Sequence, residues 1–292
     1  MSVATTVLYL SKRIDAYDFA TKPFVCGISG PQGSGKSYMA EYVYSELCTK
    51  YPKLTILQFL MDDLYLSHSK QLELTKANSI PLHENRMLQG RGLPGTHDID
   101  LAVNIFEHLF TNYKKPFPEL KVPRYNKAAF NGEGDQFPED QWTVIRKPVD
   151  IIIFEGWFNG FCSLDEHQLL LKYMTANYSS SLLPKHPFHN FSDLNVKLKE
   201  YEKIWSFFDY FVLLATDSIK NVYNWRLQQE HALIKNGGTG MSDSAVLKFV
   251  DRYMPMYEIY YDKVCAIGCL EPGNNLRIEI DSERNLIQCN EY

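Results

Sequence analysis

Short apolar runs alternate along the chain with segments whose apolar positions recur at helical spacing. Phe24-Val25-Cys26-Gly27-Ile28-Ser29 is a largely apolar run that predicts a buried parallel strand; Met39, Tyr42, Val43 and Leu47 then form one face of a helix. A second strand is expected over 54–60, ending at Asp62-Asp63, followed by an amphipathic helix over 99–113 and a short extended piece over 120–123. Residues 149–154 are apolar on both alternating faces, which predicts a central strand, and they run straight into Glu155-Gly156. A helix-rich insertion is predicted over 163–206, interrupted by Ser179-Ser180-Ser181 and by Pro184 and Pro187. Residues 210–215 predict another strand, and Asp217 or Ser218 is expected to cap a helix running to about Ile234. A loop mobile by composition over 236–240, a helix opened by Ser242 and reaching about Tyr261, and a last strand over 276–280 complete the pattern. Strands alternating with helices predict an α/β fold with a mainly parallel sheet and right-handed crossovers.

Candidate chemistry enters at Gly30-Pro31-Gln32-Gly33-Ser34-Gly35-Lys36-Ser37, which has the spacing of a phosphate-cradling loop and lies between a predicted strand and a predicted helix. Glycines there let backbone amides curl around an anion at a helix N-terminus. Lys36 would reach the β- and γ-phosphates of ATP and the Ser37 hydroxyl would coordinate Mg²⁺; Tyr38 follows as a further nucleotide contact. The expected architecture is therefore a three-layer P-loop fold carrying an insertion and a lid. A GTPase would need DxxG and NKxD motifs, and Asn126-Lys127 is followed by Ala128-Ala129; a transporter-type ATPase would carry an LSGGQ-like signature. A phosphotransferase remains. It needs a base for the acceptor hydroxyl, which Asp62 or Asp63 would supply, a carboxylate supporting the metal, where Glu155 stands, and a cation for developing charge, where Arg226 precedes the glycine-rich loop. The plainer alternatives are that an aspartate caps the turn after its strand and that Arg226 pairs with Glu230 four residues on. A rival from another class is a nucleotide-gated binding protein with the insertion as docking surface.

Hydrophobic residues make up 45% of the 292, and no Pro/Gly/Ser-rich stretch divides them. One elaborated domain is expected over 1–292, with a nucleotide-binding core at 23–160, the insertion at 163–206, and a lid with C-terminal helices at 217–262. A net charge of −5 lacks the basic excess of a protein dedicated to nucleic acid and points to a small-molecule partner. The six cysteines form no CxxC pair, which fits reduced thiols, and Cys265 with Cys269 lacks a second pair for zinc. No long apolar leader or run of eighteen apolar residues occurs. A monomer without membrane contact is expected, in the cytoplasm and with the nucleus also open.

Met61-Asp62-Asp63-Leu64-Tyr65 resembles a segment shared by uridine kinase and phosphoribulokinase relatives. Gly92-Leu93-Pro94-Gly95-Thr96-His97-Asp98, the stretch from Pro123-Arg124-Tyr125-Asn126-Lys127 to Asp135, Glu155-Gly156-Trp157-Phe158-Asn159-Gly160, and Trp225 to Glu230 resemble the D-glycerate 3-kinase branch of P-loop kinases. Arg252-Tyr253-Met254-Pro255 with Tyr257 also fits it, and the likeness runs from about residue 24 to the C-terminus. The resemblance implies that Asp62 is the catalytic base with Asp63 as a possible Mg²⁺ partner. It further implies that Arg91, Thr96, His97, Asp98, Arg124, Tyr125 and Lys127 surround the acceptor. Arg124 and Lys127 would suit an anionic acceptor such as glycerate. Two departures stand out: Leu64 where relatives commonly have Phe, and Asn126 where glycerate kinases commonly have Asp. Asn195, Leu198, Tyr201 and Trp205 repeat the branch's helical pattern, and their periodicity predicts core packing.

Overall fold

A computed structural model describes residues 2–238 and 240–292. In chain order the elements begin with α1 (Ser2–Ala16), β1 (Phe24–Ser29), α2 (Lys36–Lys50), β2 (Ile56–Leu60), α3 (His68–Ala77) and α4 (Ile99–Thr111). Four short strands follow, β3 (Leu120–Val122), β4 (Tyr125–Asn126), β5 (Asp135–Gln136) and β6 (Thr143–Ile145), and then β7 (Ile151–Gly156), α5 (Glu166–Met174), α6 (Phe188–Trp205) and β8 (Tyr210–Thr216). The chain closes with α7 (Asn221–Lys235), α8 (Asp243–Asp251), α9 (Met254–Ile267), β9 (Asn275–Ile280) and β10 (Leu286–Glu291).

The main sheet runs β10-β9-β8-β1-β7-β2, parallel throughout except for the antiparallel edge strand β10. Every residue of β1 and β7 is buried, as expected of strands covered on both faces, whereas β2 at the edge alternates buried and half-buried positions. Ile28 of β1 and Leu60 of β2 both pair with Glu155 of β7. That register brings the phosphate loop, Glu155 and Asp62-Asp63 to one carboxyl-terminal edge, where open α/β sheets bind ligands. The predicted mainly parallel sheet is thus observed.

Several elements lie outside the sequence pattern. Helix α1 packs on α2 and β9 and buries Tyr9, Leu10 and Ile14, but also Thr6 and Ser11, which blur its apolar stripe. The predicted helix from Ser242 to Tyr261 is two: Ser242 does cap α8 by accepting from the Ala245 amide, but Arg252 and Tyr253 separate it from α9, where Pro255 sits in the first turn. Neither Asp217 nor Ser218 caps α7. Its N-cap is Lys220, without a side-chain bond, while Asp217 accepts from the side chain of Asn221. The predicted loop over 236–240 includes Thr239, which lies outside the described residues. Among the described residues, no helix is long and apolar enough to cross a membrane.

The insertion is no appendage. Helix α6 turns Phe191, Leu194, Leu198, Tyr201, Ile204 and Trp205 inward at three- and four-residue spacing and packs on α4 and α5. Asn195 bonds both the amide and carbonyl of Leu164 at 2.8 Å and accepts from the Tyr260 hydroxyl at 2.9 Å, so a buried amide side chain ties α6 to α9.

Candidate active site

Helix α2 starts at Lys36 behind Gly35, whose φ of 93° and lack of any capping side chain leave the first-turn amides free. Gly33 also has positive φ, and a Cβ there would meet Cβ of Trp225 at 2.5 Å, so the loop is pressed against α7. Other anchors come from far along the chain: the Gln32 amide donates to the Tyr257 hydroxyl at 3.1 Å, and Nε of Arg284 donates to the Gly33 carbonyl at 2.9 Å. Arg284, whose guanidinium also lies over the Trp225 ring, was not among the expected site residues. Beside Ser34 and Gly35 opens a cavity of about 800 Å³ lined by Val7 and Leu8 of α1, Tyr38 and Tyr42 of α2, Ile280 and Arg284. Pro31 supplies the carbonyl that turns the loop back to the Ser34 amide at 3.2 Å, and Gly30 abuts the Leu214 carbonyl.

At the floor of the loop, Glu155 is 4% exposed. Its Oε1 accepts from the Ser37 hydroxyl at 2.9 Å and lies 3.6 Å from Nζ of Lys36, while its Oε2 is buried and has no partner among the described residues. A buried carboxylate oxygen with no donor carries the cost of its desolvation, which a cation relieves. Ser37 and Glu155 are hard oxygen donors and fit Mg²⁺, an ion that takes one or two protein oxygens and fills its shell with water and phosphate. Among the described residues, no group of three or more His, Cys, Asp or Glu could hold a metal by itself. Asn159 donates from its side-chain amide to the carbonyls of Ile28 and Phe154, both at 3.1 Å, and so locks the ends of β1 and β7 together.

The two aspartates that follow β2 occupy opposite surroundings. Both oxygens of Asp63 accept from backbone amides, of Leu60 at 3.2 Å and of Tyr125 at 3.3 Å; burial nevertheless pushes its pKa up to about 6. Asp62 instead pairs with Nζ of Lys127 at 2.5 Å and keeps 27% of its side-chain surface. Burial works to raise its pKa, but the nearby ammonium groups of Lys127 and Lys36 outweigh it and hold the carboxyl below its ordinary value. Asp62 is accordingly the member of the pair that stays ionised to lower pH and remains reachable.

The segment 90–98 joins the turn that follows Asp63: the Leu66 amide donates to the Thr96 carbonyl at 3.0 Å and the Asp98 amide to the Leu64 carbonyl at 2.8 Å. Gly90 and Gly92 have φ of 144° and 128°, and their neighbourhood is strapped down by Arg252, which donates to the carbonyls of Met87, Gly90 and Arg91, and by Trp157, whose Nε1 donates to the Gly92 carbonyl at 3.0 Å. Tyr253 adds its hydroxyl to the Arg91 carbonyl at 3.2 Å. Thr96 is buried and spans the turn from the Gly92 amide to the Leu93 carbonyl; Asp98 caps α4 through the Leu101 amide and pairs with Lys70 at 3.1 Å. His97 stacks on Tyr65 with ring centroids 4.3 Å apart.

Lys127 lies closest to the chemistry of the remaining expected acceptor residues. Arg91 reaches the carbonyls of Gly132, Glu133 and Lys127, and Tyr125 packs beneath it. Arg124 is exposed, its guanidinium over Phe137. Arg226 is drawn along its own helix to Glu230 at 2.5 Å, with Gln229 at 2.7 Å and its Nε buried with no partner among the described residues; Glu230 in turn accepts from the Met241 amide at 3.0 Å. The pairing expected from the four-residue spacing is present, and it ties α7 to the segment that leads into α8.

No protein-family model matches the chain. It is 38% identical over 288 residues to Probable ATP-dependent kinase TDA10 of Saccharomyces cerevisiae, covering 96% of this chain and 93% of that one. To Uncharacterized kinase mug58 of Schizosaccharomyces pombe it is 39% identical over 267 residues, 90% of each. The solved D-glycerate 3-kinase of Cryptococcus neoformans superposes with a TM-score of 0.87 at 30% identity, over 100% of this chain and 99% of that one. Full-length likeness to named kinases in both sequence and fold, on a chain whose phosphate loop, Ser37–Glu155 pair and ionised Asp62 share one sheet edge, makes this chain a member of the D-glycerate 3-kinase family of P-loop kinases.

Proposed function

We propose that this ATP-dependent kinase phosphorylates a hydroxyl of a small anionic hydroxy acid, with D-glycerate as the acceptor to test first. The observation that carries the reading is the Asp62–Lys127 pair, a carboxylate and a cation side by side next to the phosphate loop. The glycine-rich loop and first-turn amides of α2 bind the phosphates, and Lys36 leaves Glu155 for the γ-phosphoryl oxygens. The cavity between α1 and α2 takes the nucleoside, with Tyr38 on its wall. Ser37 and Glu155 would hold Mg²⁺, which would supply charge neutralisation for the phosphates. Asp62 accepts the proton of the acceptor hydroxyl as that oxygen bonds to phosphorus and the bond to the β-phosphate oxygen breaks, leaving ADP. Asp63 is a positioning residue that fixes the end of β2 against Tyr125 through two amides.

Lys127, and with it Arg124 three residues before, would offer a carboxylate its counter-charge, which a dry cleft requires. Arg226 closes over the phosphates when α7 and the segment after it move together. The same reading keeps the chain a single domain over 1–292, working as a monomer on small molecules. Initial rates of ADP release over D-glycerate, other hydroxy acids, pantothenate, a pentose phosphate and nucleosides test the acceptor. The expected result is saturable turnover on D-glycerate above the background hydrolysis of ATP; a nucleoside or pantothenate preferred by tenfold or more would overturn the hydroxy-acid assignment.

A further inference from the structure

Helix α6 places Tyr201, fully buried, under the turn formed by residues 92–98. The Gly95 amide donates to the phenolic oxygen at 2.9 Å, the His97 amide also faces it, and Nδ1 of His97 lies 2.7 Å away. A phenol has one hydrogen to give. Burial holds its pKa above the ordinary value, so it keeps that hydrogen, and amide donors already use its oxygen as acceptor. The acceptor within reach is Nδ1 of His97, and an imidazole that accepts at Nδ1 carries its own proton on Nε2. The ring is neutral, because burial pulls its pKa down to about 3 even against the opposing charge of Asp62. It cannot turn freely, being stacked on Tyr65 and set edge-on to Tyr201 with 89° between the planes.

That leaves one group unaccounted for. Nε2 of His97 is buried and has no hydrogen-bond partner among the described residues. A buried N–H in this condition is costly, and native structures rarely keep one without a use. His97 sits beside Asp62: it bridges Tyr65 in an antiparallel pairing, the Tyr65 amide donates to the Asp62 carbonyl at 3.4 Å, and Asp62, already read as the base, is the charged group that bears on this ring.

We infer that Tyr201 fixes His97 as the Nε2–H tautomer and that this N–H donates to an oxygen of the acceptor held beside Asp62, so that the insertion helix α6 takes part in choosing the acceptor. The inference rests on the kinase reading above and deepens it. A neutral donor recognises a hydroxyl or carboxylate oxygen without adding charge, and it disfavours an acceptor that presents an N–H or an apolar carbon at that point. With Nδ1 occupied, the ring cannot take the proton meant for Asp62. Tyr201 acts as a positioning residue through His97, and the core packing expected for it from periodicity is what gives it rigidity.

The test is nitrogen NMR of the full chain labelled at histidine, with D-glycerate, Mg²⁺ and a non-hydrolysable ATP analogue as probes. His97 is expected to show a protonated Nε2 and a bare Nδ1 in the free protein at neutral pH, and its Nε2–H resonance to move when D-glycerate is added. A proton on Nδ1, or a charged ring at neutral pH, overturns the inference whatever the enzyme does. In kinetics, His97→Asn and Tyr201→Phe should each raise KM for D-glycerate about tenfold, the loss of one hydrogen bond, with KM for ATP within about twofold. His97→Gln, whose amide reaches the Nε2 position, should recover most of that loss. An unchanged KM in His97→Asn while D-glycerate turns over also overturns it. If D-glycerate neither binds nor turns over, the acceptor assignment under Proposed function fails, while the spectrum of the free protein still decides the Tyr201–His97 arrangement. Should Tyr201→Phe not fold, the wild-type spectrum and His97→Asn carry the test.

Discussion

Adjacent carboxylates at the end of β2 feel opposite forces, and pH separates them. At Asp62 burial raises the pKa but Lys127 and Lys36 more than offset it, so the carboxyl stays ionised below the usual aspartate range of about 4. The acid limb of kcat/KM is therefore expected below that range. Lys127→Ala leaves burial less opposed and should move the limb upward; a limb that does not move would contradict the pairing as the cause. Asp63 runs the other way. Its pKa is raised by burial to about 6, so its contribution to stability is complete below the unfolded value near 4 and is lost as pH rises through about 6. Urea unfolding should show wild type losing stability between about pH 4 and 6 relative to Asp63→Asn, which does not titrate. A pH-independent gap between the two would refute this. Sequence spacing put both aspartates at the right edge but could not separate them, because one of the two backbone amides on Asp63 and the lysine that faces Asp62 come from residues 125 and 127.

At the scale of elements, the phosphate loop works because its neighbours hold it in shape. Gly33 has a φ of 81° and no room for a Cβ against Trp225, so Gly33→Ala must distort the loop or push α7 away. It should raise KM for ATP tenfold or more and lower the melting temperature; a variant with wild-type KM would show the contact to be dispensable. Tyr38→Ala, on the wall of the cavity between α1 and α2, should raise KM for ATP and leave KM for the acceptor within about twofold. Strands β1 and β7 and the loop after β1 were legible in the sequence because strong local patterns specify them. Helix α1 was not, since Thr6 and Ser11 sit on its buried face, and neither was β10, an exposed edge strand whose residues Gln288, Asn290 and Glu291 read as a loop. Arg284 escaped because nothing near it in sequence marks a glycine loop some 250 residues earlier as its partner.

Across the whole molecule, ligand binding and stability are linked. A species that binds the folded state at about one hundred times its Kd adds roughly 2.7 kcal/mol, which for a chain of 292 residues corresponds to about 4 °C in melting temperature. Mg²⁺ with ATP should give a shift of that order in wild type and in Asp62→Asn, and little or none in Lys36→Ala. Glu155→Gln should keep the fold yet weaken the dependence of the shift on Mg²⁺, since it removes one of the two oxygen ligands proposed for the ion; an undiminished Mg²⁺ effect would move the metal elsewhere. The insertion belongs to this scale as well. Helix α6 is tied to α9 through Asn195 and to the turn over 92–98 through Tyr201, which links the insertion to the core and to the site edge.

Transfer itself is tested most directly by following the γ-phosphate. With γ-labelled ATP, Mg²⁺ and D-glycerate, wild type should place the label on the organic acid at a rate that saturates with D-glycerate, whereas Asp62→Asn should bind ATP normally and lose about 10²–10⁴ in that rate. Label that appears as inorganic phosphate regardless of acceptor, or that reaches D-glycerate at the wild-type rate in Asp62→Asn, would contradict the account.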